Sequence, residues 1–209
     1  MKKAFQYRVV KQNKLFSLLV CSFLLVLFSP ISHANTLLVH GDSLSAGYGM
    51  SLEQSWVTLL ADKLGDDYRV INSSISGETS KGGLNRLPGL LTEHQPDIVL
   101  IELGANDGLR GYPIDQTTEN LQKMIDLAKE QGAEVILLGI RLPPNFGNRY
   151  TEPFFNQYAT LAQSNNVGYL PFLLEGVAGF ESLMQSDGLH PTAEAQPLIL
   201  ENVLPFITN

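Results

Sequence analysis

From residue 35 to the end of the chain, short apolar runs alternate with longer segments whose apolar residues recur at helical spacing. This alternation is typical of strand–helix–strand units, in which the strands are parallel and the helices cover both faces of the sheet. We therefore predict an α/β fold for residues 35–209, with three layers (α/β/α) around a five-stranded parallel sheet. The predicted strands are Thr36–His40, Tyr68–Ile71, Asp97–Leu103, Glu134–Ile140 and Gly168–Phe172.

Helical spacing is found in each segment between these strands and again after the last one. No linker, repeat or low-complexity tract interrupts them, and 209 residues fit one ordinary domain. We therefore expect a single domain. The predicted helices are Trp56–Leu64, Leu84–Leu91 with Pro88 inside it, one containing Leu121 to Ala128, Glu152–Asn165 and a closing helix over Thr192–Phe206.

The first 34 residues differ in character from the rest. They contain five basic residues and no acidic one, followed by a 14-residue apolar run, Leu15–Phe28, and the small-x-small tripeptide Ser32–Ala34. These features are typical of a secretory signal peptide. As a helix the apolar run would be about 21 Å long, short of the roughly 30 Å hydrocarbon core of a membrane. We therefore predict cleavage after Ala34, no stable membrane insertion afterwards, and a periplasmic or secreted protein.

The charge of the remaining domain excludes one class of partner. Removing five basic residues from the chain's 14 leaves nine against 21 acidic residues, a net charge of −12. Such a domain is not expected to bind nucleic acid by neutralising phosphates. The chain's one cysteine lies in the predicted signal peptide, which excludes a disulfide framework and thiolate metal clusters. We expect no metal, no cofactor and, lacking any heptad or edge-strand signal, a monomer.

Polar loops follow the predicted strands at the places where parallel sheets bind ligands, beyond their carboxyl ends. Each loop alone is ordinary turn or capping chemistry. Together they supply a nucleophile, a base, a carboxylate and hydrogen-bond donors, which is the inventory of acyl transfer. The four segments are Gly41–Ser45, Asn72–Thr79, Gly104–Gly108 and Ser186–Pro191.

These segments resemble the Ser, Gly, Asn and His blocks of the SGNH (GDSL-type) hydrolases. Further similarity lies in Gly108–Gly111, Ile140–Pro143 and Ala195–Pro197, and with the signal peptide the chain is similar to the multifunctional periplasmic acyl-CoA thioesterases, lysophospholipases and arylesterases of Gram-negative bacteria. The resemblance implies a flavodoxin-like fold and hydrolysis of acyl esters and thioesters. By matching motif it implies Ser43, Asp187 and His190 as the catalytic residues, and Ser43, Gly77 and Asn106 as the oxyanion hole.

The chemistry of these residue types agrees with that assignment. A serine hydroxyl becomes a useful nucleophile when a base accepts its proton, and imidazole titrates near neutrality. After Ala34 the sequence has three histidines, of which only His190 has a carboxylate three residues earlier, Asp187. That spacing lets the carboxylate orient the ring. His40 lies close to Ser43 in sequence and is kept as a rival base, although a structural role is favoured.

Three carboxylates near these blocks have other predicted roles. Asp42 and Asp107 are expected to brace their loops through hydrogen bonds to the backbone. Glu102 lies inside the most apolar predicted strand, where an unpaired carboxylate is costly. It must therefore have a partner, which the sequence does not identify.

The loops after the third and fourth strands are rich in apolar residues and are the predicted wall of an acyl pocket. The expected partner is a small acyl ester or thioester with a medium to long chain. Two alternatives remain open: a carbohydrate acetyl-esterase of the same superfamily, and a catalytically silent lipid-binding module. The predicted substrate-binding residues are Leu109, Tyr112, Pro143, Phe146 and Tyr150.

Overall fold

The computed structural model describes residues 34–208, which form a five-stranded, fully parallel sheet. The order of the strands is β2-β1-β3-β4-β5, the flavodoxin-like order. This confirms the predicted fold class. The predicted signal peptide lies outside the described residues, apart from Ala34. The strands are β1 (Asn35–Gly41), β2 (Tyr68–Asn72), β3 (Ile98–Glu102), β4 (Glu134–Leu138) and β5 (Gly168–Leu170).

Helices cover both faces of the sheet and alternate with the strands along the chain. Short 3₁₀ turns occur at Leu52–Gln54, Gly65–Asp67, Pro144–Phe146, Glu181–Leu183, Ala193–Ala195 and Leu204–Phe206. Within residues 34–208, no helix has both the length and the hydropathy needed to cross a membrane. The α-helices are α1 (Ser43–Ala46), α2 (Trp56–Leu64), α3 (Ser80–His94), α4 (Ala105–Leu109), α5 (Ile114–Glu130), α6 (Asn148–Asn165) and α7 (Gln196–Val203).

The two faces of the sheet bury different sets of helices, because side chains alternate along each strand. Leu38, Val99 and Leu137 belong to the cluster that includes α3, α5 and α6. Their neighbours Leu37 and Leu100 pack in the cluster that includes α2 and α7. Strands buried on both faces explain why they appear in the sequence as continuous apolar runs.

Prolines lie at two of the differences from the predicted elements, the end of β5 and the closing helix. β5 ends at Leu170 rather than Phe172, since Pro171 has no N–H for a sheet hydrogen bond. The predicted closing helix over 192–206 is wrong as one element: only Gln196–Val203 is α-helical, between two 3₁₀ turns. Pro88, by contrast, leaves α3 unbroken, because it lies on the solvent side of the helix, where water can replace the lost hydrogen bond.

The strand order determines where a ligand can bind. From β1 the chain leads to β2 on one side, while β3 lies on the other side of β1. The loops that leave β1 and β3 therefore diverge and open a crevice at the carboxyl edge of the sheet, the usual binding position in such folds. Three of the four polar segments follow β1, β2 and β3 directly, and therefore lie at this edge.

Candidate active site

Ser43 is the first residue of α1, and only Asp42 separates it from the end of β1. Asp42 caps this short helix, with its Oδ1 accepting a hydrogen bond from the N–H of Leu44 at 3.1 Å. The tight strand-to-helix turn holds Ser43 partly exposed at the carboxyl edge of the sheet. The hydroxyl is thus both accessible and fixed in position.

The imidazole of His190 lies between Ser43 and Asp187. Its Nε2 is 2.9 Å from the Ser43 Oγ, although 147 positions separate the two residues. Its Nδ1 is 2.6 Å from Asp187 Oδ2. A carboxylate only accepts, so Nδ1 carries the proton and Nε2 is free to accept from the serine hydroxyl. The structure therefore brings the three predicted catalytic side chains into one hydrogen-bonded chain.

The loop carrying His190 is shaped by Asp187. Its Oδ1 accepts from the backbone N–H of Leu189 at 2.9 Å and from that of His190 at 3.0 Å. Burial opposes ionisation of Asp187, but the hydrogen bonds from the side chain and backbone of His190 outweigh it and lower the Asp187 pKa to about 2. Asp187 is therefore ionised at neutral pH and orients both the backbone and the ring of His190.

Two further residues support His190. The N–H of Gln185 donates to the His190 carbonyl at 2.7 Å, and its side-chain Nε2 donates to the carbonyls of Tyr48 and Pro191. The ring of Tyr48 lies against the imidazole, with centroids 4.3 Å apart and planes tilted by 34°. His190 is thus fixed by a hydrogen bond to its backbone carbonyl and by ring contact with Tyr48 on one face of the imidazole.

Asn106, in the first turn of α4, reaches the same crevice from β3. Its Nδ2 donates to Asp42 Oδ2 at 3.0 Å. A side-chain amide carries two hydrogens, so one remains to donate to a ligand. The neighbouring Asp107 points the other way and accepts from the N–H and the hydroxyl of Ser80, as its predicted bracing role requires.

The loop after β2 is tied to the two other loops. The N–H of Ile75 donates to the carbonyl of Gly41 at 3.1 Å, and the guanidinium of Arg110 donates to that of Gly77 at 3.2 Å. Gly77 has φ +80°, and a Cβ there would meet no heavy atom within 4 Å. Glycine is thus required by the backbone conformation, and the space beside it is open.

Two buried carboxyls lie beneath these loops. Glu102, at the end of β3, accepts through Oε2 from the N–H of Asp42 at 3.2 Å and from the hydroxyl of Ser45 at 2.8 Å. Burial raises the pKa of Glu102 well above its usual value, and the neighbouring Asp42 raises it further. Burial likewise raises the pKa of Asp42, to about 6. Ser45 and the Asp42 backbone are the partners that the sequence left unidentified.

An apolar cavity of about 210 Å³ opens beside the serine. One end contains Ser43, Asn106 and His190, and the wall comes mainly from the loops after β4 and β5. The predicted residues Leu109 and Pro143 line it, whereas Tyr112, Phe146 and Tyr150 are not among its wall residues. The remaining wall residues are Leu44, Ala105, Gly139, Ile140, Arg141, Leu142, Phe172, Leu173, Leu174 and Leu189.

Known proteins are similar to this chain in sequence and in fold. Residues 39–197 match the GDSL-like Lipase/Acylhydrolase family. The chain belongs to that family. The match spans all four polar segments and all five strands except the start of β1, so the family assignment covers the whole candidate site.

Individual proteins match the chain over most of their length. The chain is 54% identical to an arylesterase of Vibrio mimicus over 86% of this chain and 93% of that protein. It is 49% identical to thioesterase 1/protease 1/lysophospholipase L1 of Escherichia coli K12 over 86% of each. A crystal structure of TesA superimposes with a TM-score of 0.81 at 52% identity, covering 83% of this chain and 98% of that one.

His40, the rival base, does not join the site of this GDSL-family protein. It is fully buried, with Nε2 3.0 Å from the carbonyl of Gly83 and Nδ1 3.0 Å from the hydroxyl of Ser73. Burial lowers its pKa to about 4. The ring is therefore neutral at pH 7 and links β1 to α3, which is the structural role that was favoured.

Several wall and support residues were not predicted. Tyr48 and Gln185 act on His190 through contacts between distant loops, which leave no local pattern in the sequence. Leu174 and Leu189 belong to segments without strand or helix periodicity. A usable signal existed for the residues after β4 and β5, because ligands in such folds contact the carboxyl-end loops of several strands.

Proposed function

We propose that this GDSL-family protein hydrolyses acyl esters and thioesters through an acyl-enzyme on Ser43. The observation that carries the proposal is the continuous chain from Asp187 through His190 to the Ser43 hydroxyl, which ends in an apolar cavity. Asp187 has the role of orienting carboxylate, His190 that of general base, and Ser43 that of nucleophile. Two relatives are named arylesterase and thioesterase 1/protease 1/lysophospholipase L1, which supports ester and thioester bonds as the bonds that are cleaved.

The first half of the reaction forms the acyl-enzyme. The Ser43 Oγ attacks the substrate carbonyl while His190 Nε2 takes its proton, and the ionised Asp187 stabilises the resulting imidazolium. Collapse of the tetrahedral intermediate breaks the bond to the leaving group, and His190 returns the proton to the departing alcohol or thiol. Water then attacks the acyl-serine with the same base, releasing the acid and restoring the hydroxyl.

The tetrahedral intermediate carries an oxyanion, for which donors must already be in place. We assign this role to the N–H groups of Ser43 and Gly77 and to the free amide hydrogen of Asn106. Asn106 lines the same cavity as the serine, and its amide is oriented by Asp42. The bonds that tie the Gly77 loop to Gly41 and Arg110 support its place beside them.

The composition of the cavity wall indicates which kind of acyl group the substrate carries. Its wall is composed mostly of leucine, isoleucine, proline and phenylalanine side chains, which favours a hydrocarbon chain over a sugar. A medium or long acyl chain would gain roughly 0.8 kcal/mol for each CH₂ that it buries. Tyr112, Phe146 and Tyr150 are kept as predicted substrate contacts outside the cavity wall.

A series of p-nitrophenyl esters tests the substrate class. The kcat/KM should rise from acetate through butyrate to octanoate, and an acyl-CoA thioester of the preferred length should also be cleaved. Preference for acetate with no gain beyond butyrate would instead support the carbohydrate acetyl-esterase, with acetylated sugars as the confirming substrates.

A fluorophosphonate probe separates the enzyme from a lipid-binding module. The probe should label the folded wild-type protein at one site, and Ser43→Ala should remove the label. A wild-type protein that binds fatty acid but takes up no probe would favour the silent binder.

The first 34 residues are proposed to direct export, with cleavage after Ala34 and a monomeric product in the periplasm or the medium. The basic start, the short apolar run and the small residues before the cut support this. The N-terminal sequence of the exported protein tests it: Asn35 should be the first residue. Size-exclusion chromatography with light scattering tests the monomer.

A further inference from the structure

Glu102 is a buried ionisable group that the proposed reaction does not use. It is the last residue of β3, with no exposed surface, in a strand that is otherwise entirely aliphatic. Burying a carboxyl in such surroundings costs free energy unless it is hydrogen-bonded. Both donors to its Oε2, the Asp42 N–H and the Ser45 hydroxyl, belong to the turn that carries Ser43.

We propose that Glu102 is a positioning residue for oxyanion stabilisation: it holds the Asp42 turn, and through Asp42 it fixes the amide of Asn106. The inference rests on the oxyanion role assigned to Asn106 above. Glu102 does not touch the cavity, since it is not among the residues that line it. Its effect must therefore pass through the turn that it holds, at Asp42 and Ser45.

The first step of the argument is the fit between β1 and β3. Gly41 is paired with Glu102 in the sheet register. A Cβ on Gly41 would lie 2.7 Å from Glu102 Oε2 and 2.9 Å from Ser45 Oγ, closer than real Cβ contacts allow. Gly41 thus leaves the space in which the Glu102 carboxyl contacts the turn. A larger residue at position 41 would displace that carboxyl.

The second step leads from Asp42 to the reacting groups. Asp42 receives the Glu102 hydrogen bond at its backbone N–H. Its carboxyl then accepts from Leu44 N–H through Oδ1 and from Asn106 Nδ2 through Oδ2. A shift of the Asp42 peptide would therefore displace both the start of α1, which carries Ser43, and the amide of Asn106.

The third step concerns which carboxyl carries a proton. Both oxygens of Asp42 already accept hydrogen bonds, which favours Asp42 as the charged member of the pair. Within residues 34–208, Oε1 of Glu102 has no hydrogen-bond partner. Burial and the adjacent Asp42 both raise the Glu102 pKa, so Glu102 is the member of the pair to which we assign the proton. A glutamine, which is neutral and keeps one acceptor oxygen, should therefore replace it.

A double-mutant cycle between Glu102 and Asn106 tests the inference. Glu102→Met should lower kcat on p-nitrophenyl butyrate about 10- to 100-fold with KM within about twofold, because oxyanion contacts act mainly in the transition state. Glu102→Gln should recover kcat to within about threefold of the wild type. In an Asn106→Ala background, Glu102→Met should cost less than about threefold, since residues that act through one contact are not additive.

Controls keep the outcomes separate. Leu100→Val removes volume from the same side of β3 without touching Asp42, and should lower the thermal midpoint but leave kcat unchanged. If Glu102→Met does not fold, Ser45→Ala, which removes one donor to Glu102, replaces it in the same cycle with Asn106→Ala.

Equal losses in the wild-type and Asn106→Ala backgrounds would overturn the positioning role, as would failure of Glu102→Gln to restore kcat. If Asn106→Ala itself kept full kcat, the oxyanion assignment under the proposed function would fail instead. The two failures are thus distinguishable.

Discussion

The side chain of Gln185 joins two loops of the active site, because its Nε2 donates to the carbonyl of Tyr48 at 2.8 Å and to that of Pro191 at 2.9 Å. Tyr48 packs its ring against His190, and Pro191 follows His190 in the chain. The general base is therefore held between two segments that this one amide connects. No part of the Gln185 side chain reaches the Ser43 hydroxyl, so its contribution is positional.

Gln185→Leu keeps the size of the side chain but removes both hydrogen bonds. We expect kcat to fall about tenfold, because small displacements of a catalytic group are costly, while the free energy of unfolding falls by about 1 to 3 kcal/mol. Steady-state kinetics on p-nitrophenyl butyrate and urea unfolding measure the two effects. Gln122→Leu on α5, which removes hydrogen bonds to Asp126 and Asn165 instead, is the matched control and should leave kcat unchanged. Wild-type kcat in Gln185→Leu would contradict the role.

Ser43→Ala and His190→Ala should be almost equally inactive, each lowering kcat by about 10³-fold or more, and the double variant should be no worse than either. The reason is that nucleophile and base act as one unit through the 2.9 Å hydrogen bond. Single-turnover assays with an activated ester give the three rates. Independent, multiplying losses in the double variant would argue against a shared step.

Asn106→Ala should lower kcat about 10²- to 10³-fold with little change in KM, the range found when one oxyanion donor is removed. Some activity should remain, because the two backbone donors are intact. The comparison variant is Asn165→Ala at the end of α6, whose side-chain amide donates to Gln122 and Leu161 and not to a residue of the site. Full kcat in Asn106→Ala would remove it from the oxyanion hole.

His40 makes stability depend on pH. Its pKa is lowered by burial to about 4, whereas in the unfolded chain it is near 6.5. Between these values the unfolded state binds more protons, so the free energy of unfolding should fall as the pH drops from about 6.5 to about 4, by on the order of 3 kcal/mol from this residue.

The measurement is urea unfolding of the wild type and His40→Asn across that range. Asp42, whose pKa is raised to about 6, contributes with the opposite sign between about 3.8 and 6, but it does so in both proteins. The difference between the two curves therefore isolates His40. Parallel curves would show that the ring is not the source of the slope.

Local apolar patterns predicted the sheet and its five strands, whereas the resemblance to the SGNH blocks implied the residues of the hydrogen-bonded chain. β3 is a continuous aliphatic run, and Asp187 and His190 are three residues apart. The contacts around them were not predictable in the same way. Gln185 and Tyr48 are 137 positions apart, and no periodicity links them.

Glu102 illustrates both what the sequence can predict and what depends on contacts between distant segments. Its place in an apolar strand was sufficient to predict that its carboxyl has a hydrogen-bond partner, since burying a carboxyl without one costs free energy. The identity of the partners depended on how β1 and β3 align, with Gly41 opposite Glu102, and alignment of parallel strands is not visible in one sequence. The closing helix was predicted too long for a simpler reason: a proline is the second residue of each of its last two segments, Gln196–Val203 and Leu204–Phe206, and apolar spacing alone does not register this.

The cavity has two kinds of wall. Its reactive end is built from the segments after β1 and β3 and the loop before α7, while most of the hydrocarbon lining follows β4 and β5. Replacing the latter two segments with those of another esterase would exchange the lining and leave the proton-transfer machinery in place. Enzymes of this architecture can therefore diversify in the molecules that they accept while inheriting one unchanged reaction.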